Sequence, residues 1–275
     1  MKIDAHQHFW QFDPVRDSWI TEDMGRIRRN FLPEDLYPLL KSSGIEACIA
    51  VQADTSLRET DFLLDLAGQY SWISGVVGWV DLSSLNLDQT LEVYSGNSKL
   101  LGFREILQSK DPQFMLREKF IQGIQAIGKK GYTYDILVYP HHLSASLELV
   151  KKCPNQKFVI DHLAKPYIKD KEWKEWKKAM QPIAERELVY CKVSGMVTEA
   201  DWKNWTEDDL APYLEIALEL FGPDRLMYGS DWPVCLLAGE YGQVYEVIQN
   251  WTSRLSKSER DRILGETAAE FYHIY

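Results

Sequence analysis

Cysteine is scarce in this 275-residue chain. The four present, Cys48, Cys153, Cys191 and Cys235, are widely scattered and form no Cys-x-x-Cys pair. That spacing argues against a disulfide framework and a thiolate zinc site, and it fits a reducing compartment. Long apolar runs are missing as well, since no stretch approaches the roughly 20 residues a membrane helix needs. Met1-Lys2 leads straight into Ile3-Asp4-Ala5-His6 without the apolar core of a signal peptide, so a cytoplasmic protein with no membrane partner is expected. Positive charge is in deficit: 31 basic against 41 acidic side chains give a formal net charge of −10. A field of that sign repels phosphate backbones and disfavours nucleic acid as a partner. No Gly-x-Gly-x-x-Gly follows the first apolar run, which removes the commonest ground for an open, dinucleotide-binding sheet. Internal repeats and low-complexity segments are absent too.

What the chain does have is alternation. Short apolar, β-branched runs at 2–6, 46–52, 73–80, 100–106, 132–138, 157–162, 188–194 and 225–230 read as strands, separated by amphipathic stretches. Pro33 stands at a favourable first-turn position of one helix and Gly44 at its end; Thr206 introduces another that Gly222 closes. Ser256 and Glu259 form a capping-box pattern before the last helix. Eight strands each followed by helical sequence predict a (β/α)₈ barrel, one domain over 1–275. Residues 9–32, carrying Trp10, Trp19 and Arg29, form the one long connection and are expected to fold over the active site as a lid. In 173–180, Trp173 and Trp176 share a helical side, and packing them inward on an outer barrel helix explains them without a membrane or anion site.

In a barrel, catalytic groups sit at the C-terminal strand ends. His6 and His8 are two apart on strand one and project to the same face. Asp161 and His162 end strand six, and Ser230, Asp231 and Trp232 end strand eight. A lone His-x-His is more often a pair of buried, hydrogen-bonded histidines, and Asp231 alone reads equally well as a helix cap. Convergence of all three strand ends over one mouth favours a catalytic cluster of Asp231, His162, His6 and His8.

These residues, with the segments Asp-Ala-His-Gln-His-Phe-Trp (4–10), Gly-Phe-Arg-Glu (102–105), Asp-His-Leu-Ala-Lys-Pro (161–166) and Tyr-Gly-Ser-Asp-Trp-Pro-Val (228–234), resemble the amidohydrolase superfamily, and within it the sugar-lactonase branch of L-fuconolactonases and L-rhamnonolactonases. The resemblance runs from Ile3 to about Trp232. It implies hydrolysis of an aldonolactone such as L-fuconolactone to the aldonic acid, with Asp231 as the base that activates water. It also implies that binuclear relatives carry a bridging Lys or Glu on strand four and a His on strand five. Here strand four offers Arg104, which has no lone pair to give, and Glu105 on the opposite face. Strand five ends at Tyr139-Pro140 before His141 and His142, so a two-metal centre is not expected. One divalent metal, zinc foremost, held by His6, His8 and Asp231 with or without His162, and no metal at all both remain open.

Arg104, Gln52, Trp79, Tyr139, Trp232 and Trp10 are the candidate substrate-binding residues, with Asp81 and Lys192 also at strand ends. A homo-oligomer is neither indicated nor excluded. Three rivals stand beside the lactonase: a decarboxylase of the same superfamily acting on a small carboxylate, a metal-dependent nuclease, which the −10 charge opposes, and a non-catalytic binder.

Overall fold

The computed structural model describes residues 1–274. Eight strands follow one another in chain order, β1 (Ile3–Gln7), β2 (Ala47–Val51), β3 (Ile73–Gly78), β4 (Leu100–Ile106), β5 (Thr133–Leu137), β6 (Phe158–Ile160), β7 (Val189–Val193) and β8 (Leu226–Tyr228). Every neighbouring pair is parallel. The ring closes at the strand exits, where Gln7 bridges Trp232, Asp231 N donates to the His6 carbonyl (2.8 Å) and His8 N to the Trp232 carbonyl (2.7 Å). Closure therefore joins the two segments that carry His6, His8 and Asp231. This is the expected (β/α)₈ barrel.

The principal helices are α1 (Pro33–Ser42), α2 (Leu57–Gln69), α3 (Leu87–Val93), α4 (Glu118–Lys129), α5 (Leu143–Lys152), α6 (Trp173–Ala184), α7 (Met196–Glu199), α8 (Glu207–Phe221), α9 (Tyr241–Thr252), α10 (Lys257–Asp261) and α11 (Thr267–Tyr272). Local chemistry fixes their ends as the sequence indicates: Pro33 opens α1, Thr206 and Gly222 flank α8, and the Ser256–Glu259 box caps α10. None of these helices is long and apolar enough to cross a membrane. Trp176 is buried as expected, but Trp173 stays 37% exposed with Lys174 over its ring, so only one of the pair packs inward.

Inside the barrel, Ile3, Ala5, Ala47, Ile49, Val51, Val77, Val159 and Met227 form an apolar cluster that Ala268, Phe271 and Tyr272 of α11 complete. The last helix thus plugs the barrel. Gly265 is required just before it, because a Cβ there would stand 2.1 Å from the Met1 carbonyl oxygen. At the other end, residues 9–32 form an ordered strap. Trp10 and Phe31 pair as an antiparallel bridge, a 3₁₀ turn covers Glu22–Ile27, and Arg16 ion-pairs with the buried Asp17.

Candidate active site

His6, His8, His162 and Asp231 meet at the exits of β1, β6 and β8, and all four are buried. Asp231 Oδ1 lies 3.5 Å from His8 Nε2, 3.7 Å from His162 Nε2 and 3.9 Å from His6 Nε2. Three imidazoles thus face one carboxylate oxygen. Second contacts fix each ring: His8 Nδ1 donates to the Val51 carbonyl (2.7 Å), and His162 Nδ1 is bonded to Ser194 Oγ (2.8 Å). Gly195, at φ +61°, leaves room for His162, since a Cβ there would come within 2.6 Å of its Nδ1. Burial holds His6 and His162 well below the ordinary histidine pKa, against the pull of Asp161 on the first and of Asp231 on the second, so both rings are neutral. Burial would raise the Asp231 pKa, but His162, His8 and Lys165 together outweigh it and keep the group an ionised carboxylate.

The donor set fits one divalent ion. His8 Nδ1 must carry the hydrogen it gives to Val51, so Nε2 is the ring nitrogen left to act as a ligand. At His6, Nδ1 faces both Asp161 Oδ1 and Lys192 Nζ at 3.2 Å, whereas Nε2 faces Arg104 Nη1, which can only donate, at 3.2 Å. The Arg104 contact places the His6 lone pair on Nε2 and directs the Nδ1 hydrogen at Asp161. His6 Nε2 and His8 Nε2 are 3.2 Å apart, and a cation ligated by both would take the place of the Arg104 hydrogen at His6. His6, His8 and Asp231 offer donor atoms all within 4.8 Å of one another. Metal–ligand bonds of roughly 2.0–2.1 Å in a tetrahedral site put donors about 3.3 Å apart, close to the separations seen here.

A second donor group, His6, Asp161 and His162, is already claimed. Arg104 Nη1 hydrogen-bonds Asp161 Oδ2 (2.9 Å), Lys192 Nζ stands 3.1 Å from Asp161 Oδ1, and both cations are buried. Lys192 also pairs with Asp135, whose two oxygens accept from Tyr272 Oη at 3.0 Å each. Burial acts to raise the Asp161 pKa, but Lys192, His6 and Arg104 outweigh it and hold the carboxyl well below the usual range. Fixed ammonium and guanidinium groups thus stand where a second ion would need its ligands. Lys192 and Arg104 face the three carboxylates of Asp135, Asp161 and Asp231, and with nearby Lys165 balanced by Glu199, one negative charge is left for a further cation to balance.

The profile of the Amidohydrolase family matches residues 3–274. The chain belongs to the amidohydrolase family. This amidohydrolase is 38% identical over 286 residues to the L-fucono-1,5-lactonase of Burkholderia multivorans, covering 100% of the chain and 96% of that relative. It is 36% identical over 282 residues to the L-fucono-1,5-lactonase of Burkholderia ambifaria, covering 99% and 96%. A crystal structure of a Burkholderia multivorans amidohydrolase with bound Zn superposes with a TM-score of 0.97 at 38% identity, covering 100% of both chains.

Above the cluster this amidohydrolase has a pocket of about 320 Å³. His8, His162, Asp231 and Arg104 make its polar floor; Trp10 and Trp19 of the strap, with Ile106, Leu137 and Val234, make apolar walls. Of the other sequence-predicted binding residues, Gln52 lies beneath, its side chain donating to the Arg104 carbonyl (3.1 Å) while its own carbonyl accepts from Arg104 Nη2. Trp79 turns to Glu105, donating its indole N–H at 3.0 Å, and is not part of the lining. Trp232 is buried between Phe9 and Phe31, Tyr139 stacks on His141 outside the lining, and exposed Asp81 caps Ser83. His142 is buried and bonds the Lys110 carbonyl (2.9 Å). Arg29 lies outside the pocket, its guanidinium over the Phe31 ring and against Asp35. Sequence reasoning missed Lys165, Gln108 and Ser109 of the lining. It also missed Asp135, although a carboxylate inside an otherwise apolar strand was a visible signal.

Proposed function

We propose that this amidohydrolase opens the ring of a small sugar-derived lactone by hydrolysis, with L-fucono-1,5-lactone the leading substrate and Asp231 activating the attacking water. The observation that carries the reading is the Asp231 carboxylate set among the three imidazoles of His6, His8 and His162 at the floor of a pocket of about 320 Å³. That volume lies at the lower end of small-molecule sites, roughly 300–1,000 Å³. The activity of the two Burkholderia relatives supports the substrate class.

Lactone hydrolysis needs a water stripped of a proton, a polarised carbonyl and help for the departing alkoxide. Asp231 is ionised and buried beside the pocket floor, which suits it to accept the water proton. Arg104, its buried Nε without a hydrogen-bond partner among the described residues, offers the floor a fixed positive charge. A carboxylate as acidic as Asp231 is a weak base toward free water. A zinc ion on His6, His8 and Asp231, the ion in the Burkholderia multivorans crystal structure, would supply Lewis acidity and lower the pKa of water toward ~7. His162 faces the same carboxylate and orients it. Trp10 and Trp19 give flat surfaces for the C–H face of a sugar ring, with the strap limiting water. The four free, buried cysteines accord with a reducing, cytoplasmic setting.

The test is a panel of aldonolactones followed by proton release at pH 7, with aromatic carboxylates assayed for carbon dioxide release alongside. Ring opening of a 1,5-lactone is the expected result; carbon dioxide release without ring opening would move the chain to the decarboxylase reading.

A further inference from the structure

Four consecutive residues after β6, His162, Leu163, Ala164 and Lys165, have left-handed backbone, with φ of 54°, 54°, 58° and 50°. None is glycine, and L side chains rarely adopt this backbone, so a whole turn of it persists only where its surroundings hold it. Trp176 donates its indole N–H to the Leu163 carbonyl (2.7 Å), and Lys165 N donates to the His162 carbonyl (2.7 Å). Side chains three apart on a helical turn lie on one side. Leu163 and Ala164 enter the core, whereas His162 and Lys165 both line the pocket. The Lys165 side chain is 14% exposed, and Glu199 Oε1 holds its ammonium at 2.8 Å. That contact uses one of three N–H donors. The Arg104 Nη atoms, by contrast, are engaged with Asp161 and Gln52.

We propose that Lys165 is a catalytic residue of lactone opening, its ammonium hydrogen-bonding the ring oxygen and stabilising the alkoxide that departs from it; this rests on the lactonase reading above. The carbonyl carbon gains the water oxygen and loses its bond to the ring oxygen. The bonding pair goes to that oxygen, and the water proton taken by Asp231 ends there. Lys165 keeps its three hydrogens, so its charge is constant through the turnover. Burial disfavours that charge, but the carboxylates of Glu199 and Asp231 outweigh it and keep the ammonium above the ordinary lysine pKa.

Removing one such preorganised donor typically lowers kcat by about 10²–10³. Lys165→Met is therefore expected to lower kcat on the best aldonolactone roughly 100-fold or more while KM changes far less, and Lys165→Arg to recover a measurable part. A Lys165→Met enzyme that only raises KM marks a ground-state anchor, and one with both constants unchanged marks a structural lysine; either overturns the proposal. Where Lys165→Met melts far below the wild type, Glu199→Gln tests the same contact with the ammonium present: a kcat loss of about tenfold supports the role, and an unchanged kcat overturns it. A wild-type protein that opens no aldonolactone fails the lactonase reading itself, whereas an active wild type with an unaffected Lys165→Met fails this inference alone.

Discussion

Asp231→Asn is the perturbation that bears most directly on the chemistry, and the structure makes it an unusually clean one. Asp231 sits at φ +58°, a conformation asparagine tolerates better than other non-glycine residues, so the backbone that aims it at the imidazoles survives. Alanine would carry a strain penalty there and confound the result. The amide keeps the carboxylate's shape and one acceptor oxygen, but it cannot take a proton at neutral pH. One positioned general base contributes typically 10²–10⁴-fold, so kcat should fall by about that factor, some 3–5 kcal/mol at 1.36 kcal/mol per decade. KM should move much less, because the pocket walls and Arg104 are unchanged. Since the surroundings of Asp231 depress its pKa below the usual aspartate value, no acid limb from this group should appear above about pH 4 in the wild type. The assay is initial-rate proton release on the best aldonolactone, with melting curves and zinc content measured on the same samples. A folded Asp231→Asn enzyme with kcat within threefold of wild type would refute water activation by this residue.

Zinc loading and elemental analysis should find at most one ion per chain, because Lys192 and Arg104 hold the second donor group; two well-occupied ions would contradict that. Arg104→Ala removes one cation from a buried pair, so a stability loss of about 3–5 kcal/mol is expected by chemical denaturation, in addition to a raised KM. An unchanged unfolding midpoint would show the pair to be expendable. Glu59, buried near Asp54, Asp17 and Arg16 and accepting from Ala53 N (2.9 Å), has its pKa pushed up to about 7 by that burial. A raised carboxyl pKa means the folded state holds the proton more tightly, so its stabilising effect is complete below about pH 4.5 and is lost as pH rises through 7. Glu59→Gln should therefore match wild type near pH 4.5 and exceed it by about 2–3 kcal/mol at pH 8; equal melting temperatures at pH 8 would count against a buried charge there.

The barrel was legible because strands buried on both faces read as apolar β-branched runs, and helix ends carried their capping residues openly. The meeting of His6, His8, His162 and Asp231 followed from one rule, that strand exits converge. The same rule was too coarse for Trp79 and Trp232, because standing at a strand end does not say which face a side chain takes. Alternation against Glu105 and the apolar neighbours Phe9 and Phe31 decides that. The charged ladder of Asp135, Lys192 and Asp161 went unread because each member is a lone charge in a separate strand, and only barrel closure makes them neighbours. Lys165 was hidden for another reason: no glycine or asparagine marks the left-handed turn that aims it, since tertiary packing by Trp176 holds that turn in place of local propensity.

The plug formed by α11 has a consequence for how this enzyme comes into being on the ribosome. Tyr272 belongs to α11, which is synthesised after all eight strands, yet its hydroxyl is the partner of Asp135 at the far end of the ladder that steadies Asp161 and His6. A nascent barrel with all eight strands already synthesised still lacks that hydroxyl, and Asp135 and Lys192 still lie open to water from below. Vectorial synthesis therefore delivers the imidazoles first and their electrostatic footing last. Synthesis must pass well beyond β8, and α11 must leave the exit tunnel, before the charges beneath His6 are sealed from solvent.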